Sequence, residues 1–491
     1  MRPTQPSEPV PGRPRVAIIG AGPGGLCMGI RLKGAGLERF EILEKSGGVG
    51  GTWYHNRYPG CACDVPSQLY SYSFELKTDW SRPYGTQPEI LAYLEHCASK
   101  YGVLSHCRFG EAVTRARWDE ATAQWTLELA SGRTTSADVV VSAVGMFNEL
   151  SVPEIPGLAS FAGTRFHSAR WDWEHDLSGE VVGVVGSAAS AVQFVPEIVK
   201  SARRVHLFQR TANWVGPKED EPYTAAQLER FRDDPEAAPA LRRKIFDSLG
   251  GPGTFARIRA EREAACLASL AQVRDPEVRA RLRPDHPWGC KRPLFSNEYY
   301  PAFNRPNLEL VTDPIARITP AGVVTGDGRE RRLDTLILAT GFAATKFLSA
   351  IDVVGRGGAT IADAWRDGAV AFKGVTTAGF PNLFMLYGPN TNSDSIITLI
   401  EYEVDHVLRQ IQRIAREDLA WIDVKREPMA AYNAALQREI AAIEPWQASC
   451  SDYYRSPSGR IVTQWPRTLR ALEEALSVLD EDAYECARRT A

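Results

Sequence analysis

Short β-branched runs that enter glycine turns recur along this chain, each followed by apolar positions at helical spacing. Residues 15–20 (RVAIIG) read as a strand entering a turn, residues 26–33 continue with helical spacing, and residues 40–44 (FEILE) form a second strand ending on an acid. That strand, turn, helix, strand order opens a dinucleotide-binding βαβ unit. It recurs at residues 181–186 (VVGVVG), followed by SAASAVQFVPEIV and a strand over 203–210. Residues 218–286 change character, with Arg, Glu and Ala at helical spacing, and predict a helical insertion. Strand signals return at 308–311 and 335–339, and an amphipathic helix is expected around 401–414. No repeat of solenoid period is visible. The pattern predicts an α/β protein with two Rossmann-like dinucleotide-binding domains and a helical insertion. We expect residues 1–150 to begin the first domain and 345–491 to complete it. Residues 151–217 and 287–344 would form the second, around the insertion at 218–286.

At 491 residues the chain can bury large cores, and 44% hydrophobic with 24% charged residues is an ordinary globular balance. The formal net charge of −3 gives no general pull toward nucleic acid or an anionic membrane, so anion sites must be local. The least interrupted apolar stretch, 181–196, is too short and polar to span a bilayer. The proline-rich start, MRPTQPSEPVPGRPR, lacks a signal-peptide pattern and suggests an extended arm, so a soluble, cytoplasmic protein is expected. Nine scattered cysteines fit reduced thiols better than a disulfide framework. Cys61 and Cys63 have neither redox nor zinc-ribbon spacing and read as buried small apolar groups. No metal site is expected.

Candidate chemistry begins in the first turn, where Gly20, Gly22 and Gly25 fit GxGxxG. Gly20 makes the turn, Gly22 admits a pyrophosphate against the backbone, and Gly25 lets the helix pack closely. Glu44, ending the next strand, suits ribose hydroxyls. In the second unit Gly186 and Ser187 begin the turn, but Ala188 and Ala191 stand at the later glycine positions, each adding a methyl. A displaced pyrophosphate or weaker complex is the expected consequence. Arg210 and Thr211 follow the second strand in place of an acid, and a guanidinium there suits the 2′-phosphate of NADP, so NADPH is preferred.

Several motifs carry a family resemblance. Gly50, Gly51, Thr52 and Trp53, then Tyr58-Pro59-Gly60 and Asp64, fit [AG]GxWxxxx[FY]P[GM]xxxD, and residues 161–172 fit FxGxxxHxxxW[PD] through His167 and Trp171. Lys291-Arg292 with the later Tyr299-Tyr300 and residues 304–307 (NRPN), the ATG at 339–341, and the block at 387–392 that includes Asn390 complete the match. The chain resembles the type I Baeyer–Villiger monooxygenases over nearly its whole length. That resemblance implies FAD and NADPH as cofactors, a small ketone and O2 as substrates, and an ester or lactone made through a C4a-peroxyflavin. It assigns Arg292 to the catalytic charge, Asp64 to positioning it beside the flavin, and Lys291 with Arg210 to the 2′-phosphate. Gly51, Thr52, Trp53 and Asn390 would lie at the flavin, while His167 and Trp171 would couple the domains. Read by itself, His167 is more simply a structural hydrogen-bonder. After Asn392 the sequence SDSIITLIE is shorter than the family's usual continuation, and that loop is expected to border the active site.

Two other functions use parts of the same pattern. An N- or S-oxygenating flavin monooxygenase is disfavoured by Trp171 and Arg292. A non-oxygenating reductase or redox sensor is disfavoured by the spacing of Cys61 and Cys63. The oligomeric state and the ketone are not legible.

Overall fold

The computed structural model describes residues 14–450 and 452–489, with the side chain of Ser349 left aside. Most of the N-terminal arm therefore lies outside the described residues. Two five-stranded parallel sheets organise the molecule. The first runs in the order Leu383–Met385, Val139–Ser142, Val16–Ile19, Phe40–Glu44, Cys107–Phe109. The second runs Leu308–Val311, Arg204–Phe208, Val181–Val185, Thr335–Leu338, Thr164–His167. Both central strands are buried on both faces, as the unbroken apolar runs VAII and VVGVV require.

Each central strand feeds a glycine turn and a helix, Pro23–Gly34 and Ala189–Ile198 respectively. A Cβ on Gly25 would lie 1.9 Å from the Gly20 carbonyl oxygen, so only glycine lets the first helix pack so close to its strand. The predicted amphipathic helix begins earlier than its spacing suggested, spanning Ile396–Arg416 with the Ser395 hydroxyl capping Thr398 N–H. It packs along Pro23–Gly34, with Arg31 paired to Asp405 at 2.7 Å.

Helices Ala225–Asp233, Ala237–Ser248, Phe255–Leu270 and Pro276–Arg281 occupy the predicted insertion. Arg242 latches it to the first unit, donating from Nη1 to the carbonyls of Gln68, Leu69 and Ser71 at 2.8, 3.1 and 2.9 Å. Its Nη2 faces Glu401 at 3.4 Å.

Among the described residues four smaller sheets were not anticipated, two of them single strand pairs and two larger. Of the larger two, one joins Asp352–Val354 to the meander Val113–Asp119, Gln124–Leu129 and Thr134–Ala137, and the other is the meander Ile315–Thr319, Gly322–Thr325, Glu330–Arg332. Among the described residues, no helix is long and apolar enough to cross a membrane.

The thiol expectation needs correction. Cys290 and Cys450 form a disulfide across 160 residues of sequence, a pairing that no local spacing could reveal. Cys61 and Cys63 are buried as expected, and burial pushes each thiol up to about 12.

Candidate active site

A cavity of about 1370 Å³ lies where the two glycine turns face one another. Gly20, Gly22, Glu44, Gly51, Thr52, Trp53 and Asp64 line it from one side, and Gly186, Ser187, Arg210, Thr211, Lys291 and Arg292 from the other.

On the first side, Gly50 N–H donates to the Ala21 carbonyl at 2.9 Å, drawing the second glycine pair onto the first turn. Gly51 sits at φ 56°, and a Cβ there would lie 2.8 Å from the Gly22 Cα. Two stretches of backbone thus meet with no side chain between them, leaving room for a phosphate chain. Glu44 is buried, and its carboxylate accepts from Ala21 N–H and Ser46 N–H, each at 2.7 Å. Trp53 lies in the short helix Thr52–His55 and donates from Nε1 to the Tyr70 hydroxyl at 3.0 Å.

On the second side, the turn at Gly186 leads to Ala189–Ile198, whose first turn points at the cavity and offers free N–H groups to an anion. Lys291 Nζ donates to Thr211 Oγ1 at 2.8 Å. Burial and then the nearby charge of Arg210 lower the Lys291 pKa, which marks a concentrated positive site.

Between these sides Arg292 grips Asp64 through two hydrogen bonds, Nη2 to Oδ1 at 2.5 Å and Nε to Oδ2 at 3.2 Å. The side chains are 34% and 24% exposed, the open part facing the cavity. Burial works to raise the Asp64 carboxyl, but the charge and hydrogen bonds of Arg292, helped by Lys218, hold it below its ordinary value. Asp64 in turn raises Arg292 well above the usual range for a guanidinium. Within this ion pair the Arg292 guanidinium is a fixed positive group that cannot lose its proton.

His167 and Trp171 stand away from the cavity wall. His167 Nδ1 accepts from Ala169 N–H at 3.1 Å, and burial lowers its pKa, which favours the neutral ring. Its Nε2 is buried without a hydrogen-bond partner. Trp171 packs edge-on against Phe194 with ring centroids 5.1 Å apart, and Phe194 meets Tyr58 at 5.9 Å. Tyr58 donates to Gln193 Oε1 and Gln193 Nε2 donates to the Ala62 carbonyl, both at 2.9 Å. A chain of contacts therefore runs from Trp171 to the loop that carries Asp64.

Gly25 and Asn390 are also set back from the wall. Asn390, expected at the flavin, is buried at φ 57° and spends its amide on the carbonyls of Ile461 and Gln464. It shapes the site by pinning a neighbouring loop. The shortened loop after Asn392 does border the cavity, through Ser393 and Asp394. Sequence reasoning missed Asp394, Asp452, Tyr453 and Arg455, all on the wall. Tyr453 faces Arg292, whose charge partly opposes the upward push of burial on its hydroxyl. Nothing in SDYYR at 451–455 has a fixed spacing to Lys291-Arg292, so no motif could flag it. One group with metal-ligating atoms within 4.8 Å of one another exists among the described residues, His286 with Cys290 and Cys450, but its sulfurs are bonded to each other.

Residues 17–236 match the pyridine nucleotide-disulphide oxidoreductase family. A Baeyer–Villiger monooxygenase of Pseudomonas aeruginosa is 40% identical over 489 residues, covering 98% of this chain and 93% of that protein. This chain belongs to the Baeyer–Villiger monooxygenase family. Solved structures of the family superpose over nearly its whole length. An oxidised steroid monooxygenase bound to NADP matches with TM-score 0.87 and 31% identity, covering 97% of this chain and 100% of that one. Cyclohexanone monooxygenase from Rhodococcus sp. Phi1 bound to NADP+ matches with TM-score 0.87 and 29% identity, covering 97% and 99%. The α/β architecture with two Rossmann-type domains is thus that of the Baeyer–Villiger enzymes.

Proposed function

We propose that this protein uses FAD, NADPH and O2 to convert a ketone into an ester or lactone. The Arg292–Asp64 pair, held in a cavity between two glycine turns, carries this reading. The cavity suits both cofactors. The bare backbone where Gly22 meets Gly51 fits the FAD pyrophosphate, and Glu44 has lone pairs left for its ribose. The Lys291, Arg210 and Thr211 cluster fits a 2′-phosphate, which NADPH has and NADH lacks.

When bound, FAD reduced by NADPH supplies the activation of O2 and the transfer of one oxygen atom. The chain's own residues prepare the place where that happens. Arg292 offers a preorganised cation to negative charge developing at the substrate carbonyl oxygen. Asp64 fixes the plane of the guanidinium, so that no reorientation is needed when charge forms. Tyr453, Ser393 and Asp394 close the wall around the ketone and limit water. Trp171 links the nicotinamide side through Phe194, Tyr58 and Gln193 to the Asp64 loop, and His167 holds the turn leading to Trp171 by accepting Ala169 N–H.

The test is turnover under 18O2 with NADPH and a panel of ketones, amines and sulfides. An ester carrying one 18O atom is expected. Oxygenation confined to amines or sulfides, or NADPH oxidation without an oxygenated product, would overturn the proposal.

A further inference from the structure

The Cys290–Cys450 disulfide lies at the base of two stretches that both reach the cavity. Cys290 is buried and directly precedes Lys291 and Arg292. Cys450 is partly exposed and stands just before Asp452, Tyr453 and Arg455 on the wall. The two stretches line the same cavity, with Tyr453 beside Arg292 and Asp452 within electrostatic reach of Lys291. His286 has a ring nitrogen within 4.8 Å of both sulfurs, and its Nε2 lies 3.3 Å from the carbonyl of Ala212, next to the Thr211 that Lys291 contacts. The sulfur bridge therefore touches the 2′-phosphate cluster through the chain on one side and through His286 on the other.

We propose that the Cys290–Cys450 disulfide is a reducible tether that holds Lys291 and Arg292 against the wall bearing Asp452 and Tyr453, and that its reduction weakens NADP+ binding. The coupling half of this inference rests on the assignment of the Lys291 cluster to NADPH. A dithiol is the reductant. Its thiolate attacks the Sγ of Cys450, the more exposed of the two cysteines, the S–S bond breaks, and Cys290 leaves as a thiolate that takes a proton. The second thiol of the reductant then attacks the mixed disulfide and releases Cys450, which is protonated in turn. Two electrons and two protons pass to the protein, and the dithiol becomes a cyclic disulfide. Freed of the bridge, the two stretches sample more separations, and ligands that need both must order them again.

The experiment compares the FAD-loaded protein as isolated with the same protein after dithiothreitol treatment and its removal. Alkylation in denaturant should count seven thiols before reduction and nine after it. A non-reducing peptide map should join the Cys290 and Cys450 peptides. The NADP+ Kd should rise at least about fivefold on reduction, the low end of ordinary coupling between sites. Cys450→Ser should bind as weakly as the reduced protein, with or without the dithiol. Nine thiols before reduction, or a stoichiometric metal ion held by His286 and the two thiolates, would overturn the tether. A proven bridge with equal Kd in both forms would overturn the coupling alone. Failure of NADP+ to bind either form would sink the cofactor reading and the coupling together, leaving the thiol count to judge the bridge.

Discussion

Arg292 and Asp64 are 228 residues apart, one after the insertion and one beside the first glycine turns, yet they share two hydrogen bonds on the cavity wall. Neither is positioned without the other, because removing Asp64 leaves a part-buried guanidinium unpaired. Arg292→Ala should lower kcat for ester formation by about 10²–10³-fold, the usual loss of a preorganised charge donor. Anaerobic bleaching of the flavin by NADPH should stay within a few fold. Arg292→Lys should recover little, since a point charge cannot hold both carboxylate oxygens. Bleaching lost as completely as ester formation would move Arg292 from the chemistry to nicotinamide binding.

Lys291 and Arg210 share one positive corner, which on the proposed cofactor placement would meet the 2′-phosphate that NADPH has and NADH lacks. Lys291→Ala should raise KM for NADPH by about 10–100-fold, from a charge-assisted hydrogen bond of about 1.5–3 kcal/mol. KM for NADH should change less than about twofold, because no partner is lost. Parallel steady-state titrations with the two nucleotides check this. An equal rise for both would show that Lys291 serves the shape of the site instead.

Much of this arrangement was legible because its chemistry is local. Gly20, Gly22 and Gly25 sit at spacings that backbone geometry imposes, and Glu44 and Arg210 mark the ends of strands whose apolar runs announce them. Contacts made across the fold were not legible. Asn390 belongs to a recognisable block, yet its left-handed backbone turns its amide to Ile461 and Gln464 and away from the cavity. The Cys290–Cys450 bridge and the approach of Tyr453 to Arg292 depend on where the C-terminal stretch docks, and no periodicity encodes that docking. The unanticipated meanders have strands of three to seven residues, too short for their alternation to stand out.

Trp171 is one end of an aromatic path that reaches the Asp64 loop through Phe194, Tyr58 and Gln193. Trp171→Ala removes edge-on ring contacts worth about 0.5–1.5 kcal/mol each beyond area burial. The expected result is a larger share of NADPH oxidation ending in hydrogen peroxide, because the nicotinamide side no longer sets the loop that carries Asp64. Trp171→Phe should restore most of the coupling. Peroxide yield per NADPH, read beside thermal stability, decides the matter: a fall in Tm with unchanged peroxide yield would make Trp171 a packing residue only.

Glu403 is fully buried in the helix Ile396–Arg416, where its Oε2 accepts Tyr387 N–H at 2.6 Å and its Oε1 has no partner. Burial pushes its carboxyl up to about 8, against an ordinary value of 4.5. Between those values the folded protein holds a proton that the unfolded chain has released. Stability from this group is complete below about pH 4.5, falls as pH rises, and is lost above about pH 8, by at most about 1.4 kcal/mol per pH unit. Glu403→Gln keeps the neutral form at every pH. Its Tm should therefore decline less than that of the parent between pH 5 and pH 8, with the variant gaining relative to the parent at the alkaline end. Parallel thermal melts across that range give the comparison, and identical slopes would mean that Glu403 ionises alike in the folded and unfolded chains.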